Sequence, residues 1–360
     1  IFAIQDEIAL AVVDNLKINL LGDERTAVLK RYTDDFELYN LYLKAVRHIQ
    51  LATPEGFEKA MDYIGQVLQK NPQFVPGFTG LGRIYVLNAF FGNIAPNTGY
   101  PKAKEYAEKA LEFDNTHADA YYILGMVNMY YNWDWQAAEH HFEHALKLNP
   151  NLGWIHLSFA LFLSFMGRNG EAIVEAKRAV ELDPLSGYFS AELGLIYIFA
   201  RRYEEAINHL KQTITTFPNL YLGYWHLGIV HRCTLKMDEA IKAYRKAIGL
   251  SSEVPFLIAF LAATLNETGE KEEAEKLIKG LEQRSDKEYV PASCFIGIYV
   301  FKGDHDQAYK WVERAISEHD SYLILNSIFP IKEYRIPNEP RYAELLKKNG
   351  LQRYFQYEET

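Results

Sequence analysis

Alanine marks the same point in the apolar pattern of this chain eight times, at residues 60, 103, 138, 172, 206, 240, 274 and 308. From Ala138 to Ala308 the interval is 34 residues without a slip. The stretch 187–220 opens GYFSAELGLIYIFARRYEEAINHLKQTITTFP, where Leu193-Gly194 is followed by Tyr197, Ala206, Leu210 and Pro218. One unit later the same frame holds Leu227-Gly228, Ala240, Tyr244 and Ala247; one unit earlier it holds Ala160, Leu163, Ala172, Ala176, Ala179 and Pro184. A period of this length predicts stacked helix–turn–helix units, because one unit cannot bury its apolar face alone. Ala and Gly let two helix axes approach, while larger residues fill the neighbouring grooves. Pro150, Pro184 and Pro218, also 34 apart, close each second helix because proline cannot continue it.

The frame predicts eight units, roughly 40–73, 74–117, 118–152, 153–186, 187–220, 221–254, 255–288 and 289–322. The second has a long inter-helix turn expected over about 86–101, VLNAFFGNIAPNTGYP, whose Gly, Pro and Asn mark a loop. Phe90, Phe91 and Tyr100 there either fold back onto the array or form a contact loop for a partner. The third unit gains one residue in YNWDWQ, with Trp133 and Trp135 expected to pack at the turn. Residues 1–25 read as an amphipathic helix with Ile4, Ile8, Val12 and Leu16 on one stripe, and the chain starts as a fragment of something longer would. A last helix starts at Asn338-Glu339-Pro340 and stops at Gly350. The expected division is 1–39 as N-terminal cap and lead-in, 40–322 as eight repeats, and 323–360 as C-terminal cap, since arrays need covered ends.

This is the pattern of the tetratricopeptide repeat (TPR), and it implies an all-α, right-handed superhelix. WDWQAAEHHFEHALKLNPN (133–151), ELDPLS (181–186), ARRYEEAI (200–207) and DHDQAYKWVERAISEHD (304–320) resemble a narrower group. These are the TPR tails of bacterial multidomain signalling proteins: class III adenylate cyclases, receptor-type kinases and winged-helix regulators. There the tail often follows a TolB-like module, whose end resembles IFAIQDEIALAVVDNL here. The resemblance implies protein contacts or regulation of an attached domain, and no catalytic residue in the tail. The group tends to read Leu-Arg-Ser-Asp-Pro-Arg-Phe near its end; here Ile336-Pro337-Asn338-Glu339 separates Arg335 from Pro340-Arg341-Tyr342.

Composition narrows the partners. The 25 Tyr and 21 Phe are an excess, and the net charge of −9 is spread over interspersed acidic and basic residues. Nucleic acid needs a clustered basic stripe, so it is not an expected partner, nor is an anionic membrane surface. No apolar run approaches the 18 or so residues that cross a bilayer. Cys233 and Cys294 supply neither a disulfide framework nor a zinc set. A cytoplasmic setting is expected, with the periplasm left open.

Motifs with chemistry are lacking: there is no GxxxxGK[ST], HExxH or CxxC. His140 and His144 share a helix face beside His141 and Glu143, a spacing able to chelate a metal but more ordinary for a solvated face. His226 and His231 read as hydrogen-bonded packing residues rather than bases. No enzyme, cofactor or metal is expected.

In TPR arrays the first helix of each unit lines the concave surface. In this frame, repeat positions 2, 5, 9, 12 and 13 give Tyr122, Met126, Met129 and Tyr130 in unit three. Unit four gives Trp154, Leu157, Leu161 and Phe165; unit five gives Tyr188, Leu195, Ile198 and Phe199. Trp225, Ile229, Arg232 and Cys233 follow in unit six and Phe256 in unit seven. Lys is absent at these positions, so the Lys/Asn/Arg clamp by which some TPR domains hold a carboxylate is not expected. An apolar stripe suits an amphipathic helix or apolar extended segment of a protein partner, or of the parent protein itself. Two other readings stay open: packing within the array, and a lipophilic small ligand whose binding regulates an attached domain.

Overall fold

A computed structural model describes residues 33–251, 254–328 and 339–351. The expected helix at 1–25 and the departure at Ile336-Pro337-Asn338 lie outside these residues. Helices follow one another in pairs: α1 (Phe36–Gln50) with α2 (Pro54–Lys70), α3 (Val75–Phe90) with α4 (Pro96–Phe113), and α5 (Ala118–Val127) with α6 (Trp135–Leu148). Next come α7 (Gly153–Phe165) with α8 (Asn169–Leu182), α9 (Gly187–Phe199) with α10 (Tyr203–Thr216), and α11 (Tyr221–Cys233) with α12 (Met237–Leu250). The last pairs are α13 (Pro255–Thr268) with α14 (Lys271–Ser285), and α15 (Ser293–Phe301) with α16 (His305–Ser317). Two short helices follow, α17 (Ser321–Ile328) and α18 (Pro340–Lys348). No strand occurs among the described residues, so the all-helical solenoid that the period demands is what the chain forms.

The small residues do what the repeat requires of them. All eight marker alanines are fully buried. A Cβ on Gly228 would stand 2.4 Å from Cε1 of the buried Tyr244, and one on Gly194 would stand 2.4 Å from Cδ2 of Leu210. Each glycine faces the bulky residue of its partner helix, which sets how closely the two axes come. First helices such as α7, α9 and α13 are buried along most of their length, between their own second helix and the neighbouring pair. Second helices such as α10 and α12 bury a single stripe and expose the rest, as an outer layer must.

Two local features differ from the sequence reading or refine it. The loop expected over 86–101 contracts to 91–95, because α3 runs on to Phe90 and α4 begins at Pro96. Burial overrides the breaker residues: Tyr100 is wholly buried, and a Cβ on Gly99 would stand 2.7 Å from that of Ala89. The extra residue of unit three is absorbed in a π-helical turn, Asn128–Asn132, that ends with Trp133 at φ +54°. A π turn holds one more residue than an α turn, so the array keeps its register around the insertion.

The array curls far enough for its last repeat to meet the second and third. Tyr100 and Ser321 share a hydrogen bond of 2.8 Å, and Asn97 Nδ2 donates to the Ser317 carbonyl at 3.3 Å. His319 lies between Tyr131 and Trp133, with ring centroids 4.5 Å from each. Helix α17 touches α3, the π turn and α7 as well as α15 and α16. Helix α18 packs on α16 through Tyr342, whose hydroxyl donates to the His305 carbonyl at 2.9 Å.

Candidate functional site

First helices of successive pairs face inward, and α1, α3, α5, α7 and α9 together enclose an open cavity of about 660 Å³. Six of the seventeen stripe residues reach it: Tyr122, Met126, Trp154, Leu157, Leu161 and Tyr188. Its other walls are Ile49, Arg83, Leu87, Phe90 and Phe91, with Leu182, Leu185, Phe189, Phe217 and Leu220 from the later pairs. Leu185, in the turn after α8, is 85% exposed.

Trp154 is held from two sides. Its Nε1–H donates to Asp119 Oδ1 at 2.8 Å, and the Arg83 guanidinium lies over its ring at 4.3 Å. That cation–π contact needs no counter-ion, and among the described residues no acceptor reaches the buried Nε of Arg83. Asp119 also lies 3.7 Å from His117, whose Nε2 is 3.1 Å from the Thr79 hydroxyl. The indole is thus fixed by hydrogen bonding and charge while one part of it faces open space.

Ten of the other eleven stripe residues are covered by the chain itself, and Cys233 is half-buried. Met129, Tyr130, Ile198 and Ile229 are wholly buried; Phe165, Leu195, Phe199, Trp225, Arg232 and Phe256 are nearly so. Tyr322 of α17 stacks between opposite walls, 4.8 Å from Phe256 and 5.9 Å from Phe90. Trp225 rests against Phe256 at 4.5 Å, and Tyr130 bridges Phe90 and Phe165. Arg232 donates to Glu267 at 2.7 Å and lies over Phe301 at 4.6 Å.

One buried carboxylate beside the stripe was not singled out by sequence. Glu192 is 6% exposed, and burial pushes its pKa up to about 8. His226 Nε2 lies 3.9 Å from it. Burial pulls this imidazole down to about 4, while its Nδ1–H donates to the Ala191 carbonyl at 3.0 Å. Both groups are therefore favoured in their neutral forms. Of the candidate metal ligands, His140 and His144 stack with centroids 6.1 Å apart, His141 bonds Asn128, and His144 meets the Tyr121 ring edge-on. No set of three His, Cys, Asp or Glu side chains able to hold a metal ion occurs among the described residues. No helix of the described residues is long and apolar enough to cross a membrane.

No protein-family profile matches the chain. Over 133 residues, 37% of its length, it is 25% identical to the transcriptional regulator HilA of Salmonella typhimurium, and it spans 24% of that protein. Among solved structures, a chain of the APC/C hetero-tetramer Cut9–Hcn1 aligns with 94% of this chain and 59% of its own, at 17% identity and a TM-score of 0.57. YrrB, a TPR protein, aligns with 52% of this chain and 92% of its own, at 19% identity and a TM-score of 0.34. The likeness to Cut9–Hcn1 is one of fold: the chain is a TPR-type α-solenoid.

Proposed function

We propose that this chain is a non-catalytic interaction module that receives an apolar segment of a protein partner at the open end of its concave face. The observation that carries the reading is the 660 Å³ cavity around Trp154, Tyr122 and Tyr188. Large aromatic side chains give the most binding energy per residue when a partner covers them. An orienting Asp119 and a charged Arg83 at the same place supply the few polar groups that fix register. The seventeen-residue stripe proposed from sequence narrows here to its six cavity residues, because the other eleven already make contacts within the fold. The match to a segment of a transcriptional regulator, with the resemblance to signalling-protein tails, supports a setting inside a longer regulatory protein.

Affinity capture tests this, using the chain and its Trp154→Glu variant, with circular dichroism confirming that both remain helical. A protein retained by the parent and lost from the variant supports the cavity as the binding site; equal retention by both refutes it. One observation favours a second reading, a lipophilic small ligand, since the volume falls in the ~300–1,000 Å³ range of small-molecule sites. Native mass spectrometry separates the two: an adduct of a few hundred daltons that Trp154→Glu loses would favour the ligand.

A further inference from the structure

We infer that the chain serves as its own ligand over the far half of the concave face. In this inference α17 is an internal latch that ties the last repeat to the second and third and holds the open cavity in shape.

Four contacts, all between residues more than 180 apart in sequence, join the same two regions. They are the Tyr100–Ser321 hydrogen bond, the Asn97–Ser317 hydrogen bond, His319 between Tyr131 and Trp133, and Tyr322 on Phe90. Such contacts are foreign to a solenoid, in which each repeat touches only its neighbours. The start of α17 is anchored rigidly. The buried Asp320 carboxylate accepts from the Ser293 and Tyr322 backbone N–H groups, at 2.8 and 2.9 Å, and so caps α15 and α17 together. Beyond that cap, Tyr322 occupies the place on the stripe that a partner's aromatic anchor would take. The occupant is therefore a segment of the chain itself: a short helix that places an acidic cap two residues before a buried aromatic.

Phe90 connects this latch to the cavity. It lines the cavity, and its ring also meets Tyr322 and Tyr130. Release of α17 frees Phe90 and lets the second pair swing away from the last, which dismantles one wall of the cavity. This last step rests on the function proposed above; the latch itself does not.

Hydrogen exchange followed by mass spectrometry on the whole chain tests the latch without any partner. Tyr322→Ala is expected to raise exchange at least tenfold at the end of α3, in the π turn and in α15–α17, and to leave α10 and α12 unchanged. Small-angle scattering on the same variant is expected to show a larger radius of gyration. If Tyr322→Ala fails to fold, the milder pair Tyr100→Phe with Ser321→Ala is read instead, with the same localised pattern expected at smaller amplitude. An increase spread evenly over all helices, or none in α3 and the π turn, overturns the latch. The two proposals fail separately: Trp154→Glu is expected to abolish partner capture without changing exchange at the latch, whereas Tyr322→Ala changes exchange whether or not a partner exists.

Discussion

Replacing Gly228 by alanine tests how closely the paired helices approach. The added Cβ would lie 2.4 and 2.5 Å from Cε1 and Cδ1 of Tyr244. That ring is completely buried and rigid, so it cannot swing aside as the tip of a flexible chain would. Overpacking of this kind costs about 1–3 kcal/mol, and the inflexible neighbour places this site at the upper end. Alanine recovers about 1 kcal/mol in helix propensity relative to glycine, which leaves a net loss of roughly 2 kcal/mol. Gly65, inside α2, is the control, because nothing lies within 4 Å of its Cβ position. There the same substitution is expected to gain about 0.5–1 kcal/mol. Urea unfolding of the two variants beside the parent, at one pH, gives both values. A Gly228→Ala protein as stable as Gly65→Ala would show that α11 and α12 do not meet at this distance.

Three further outcomes follow from the same contacts. Glu192 titrates higher in the folded chain, about 8, than its ordinary value of 4.5, so between these pH values the folded state holds a proton that the unfolded state has lost. Its contribution to stability is thus full below pH 4.5 and declines by up to about 1.4 kcal/mol per pH unit as pH rises towards 8; Glu192→Gln is expected to flatten that slope in pH-dependent denaturation. Arg232→Ala removes a nearly buried cation from Glu267 and Phe301 and is expected to cost about 2–3 kcal/mol, less than for a fully buried pair because Glu267 is a third exposed; a loss below about 0.5 kcal/mol in urea titration, the size of a surface pair, would show that the contact is superficial. Chelation by EDTA is expected to leave the melting temperature unchanged, and a fall would reveal a structural metal.

The repeat was legible in the sequence because its chemistry is local. Repeat glycines such as Gly194 and Gly228 answer to a bulky residue of the partner helix fewer than twenty residues away, Leu210 and Tyr244, so the pattern carries a period that can be counted. The closure of the array has no such signature. Tyr100 and Ser321, or Phe90 and Tyr322, meet only after every repeat has added its small rotation, and no spacing in the sequence encodes that sum. For the same reason Phe165, Phe199 and Trp225 sit at inward positions of their repeats yet lie covered in the structure. Arg83 was missed for a smaller reason. Counting the second unit from Val75, where α3 begins, puts Arg83 and Leu87 at positions 9 and 13, the places of Met126 and Tyr130 in the next unit. A frame starting one residue earlier hides them both. The turn over 86–101 misled because its Gly, Pro and Asn are breakers by propensity, whereas Tyr100 is buried deeply enough to impose helix.

Hydrogen exchange on the chain alone, and in complex with the protein it captures, tests the central claim most directly. Protection on binding is expected in Arg83–Phe91, in Asn151–Ser158 and in Leu182–Phe189, three of the stretches that line the cavity. Protection confined to the outer faces of α8, α10 and α12, with those three stretches unchanged, would contradict the account and place the binding surface on the convex side.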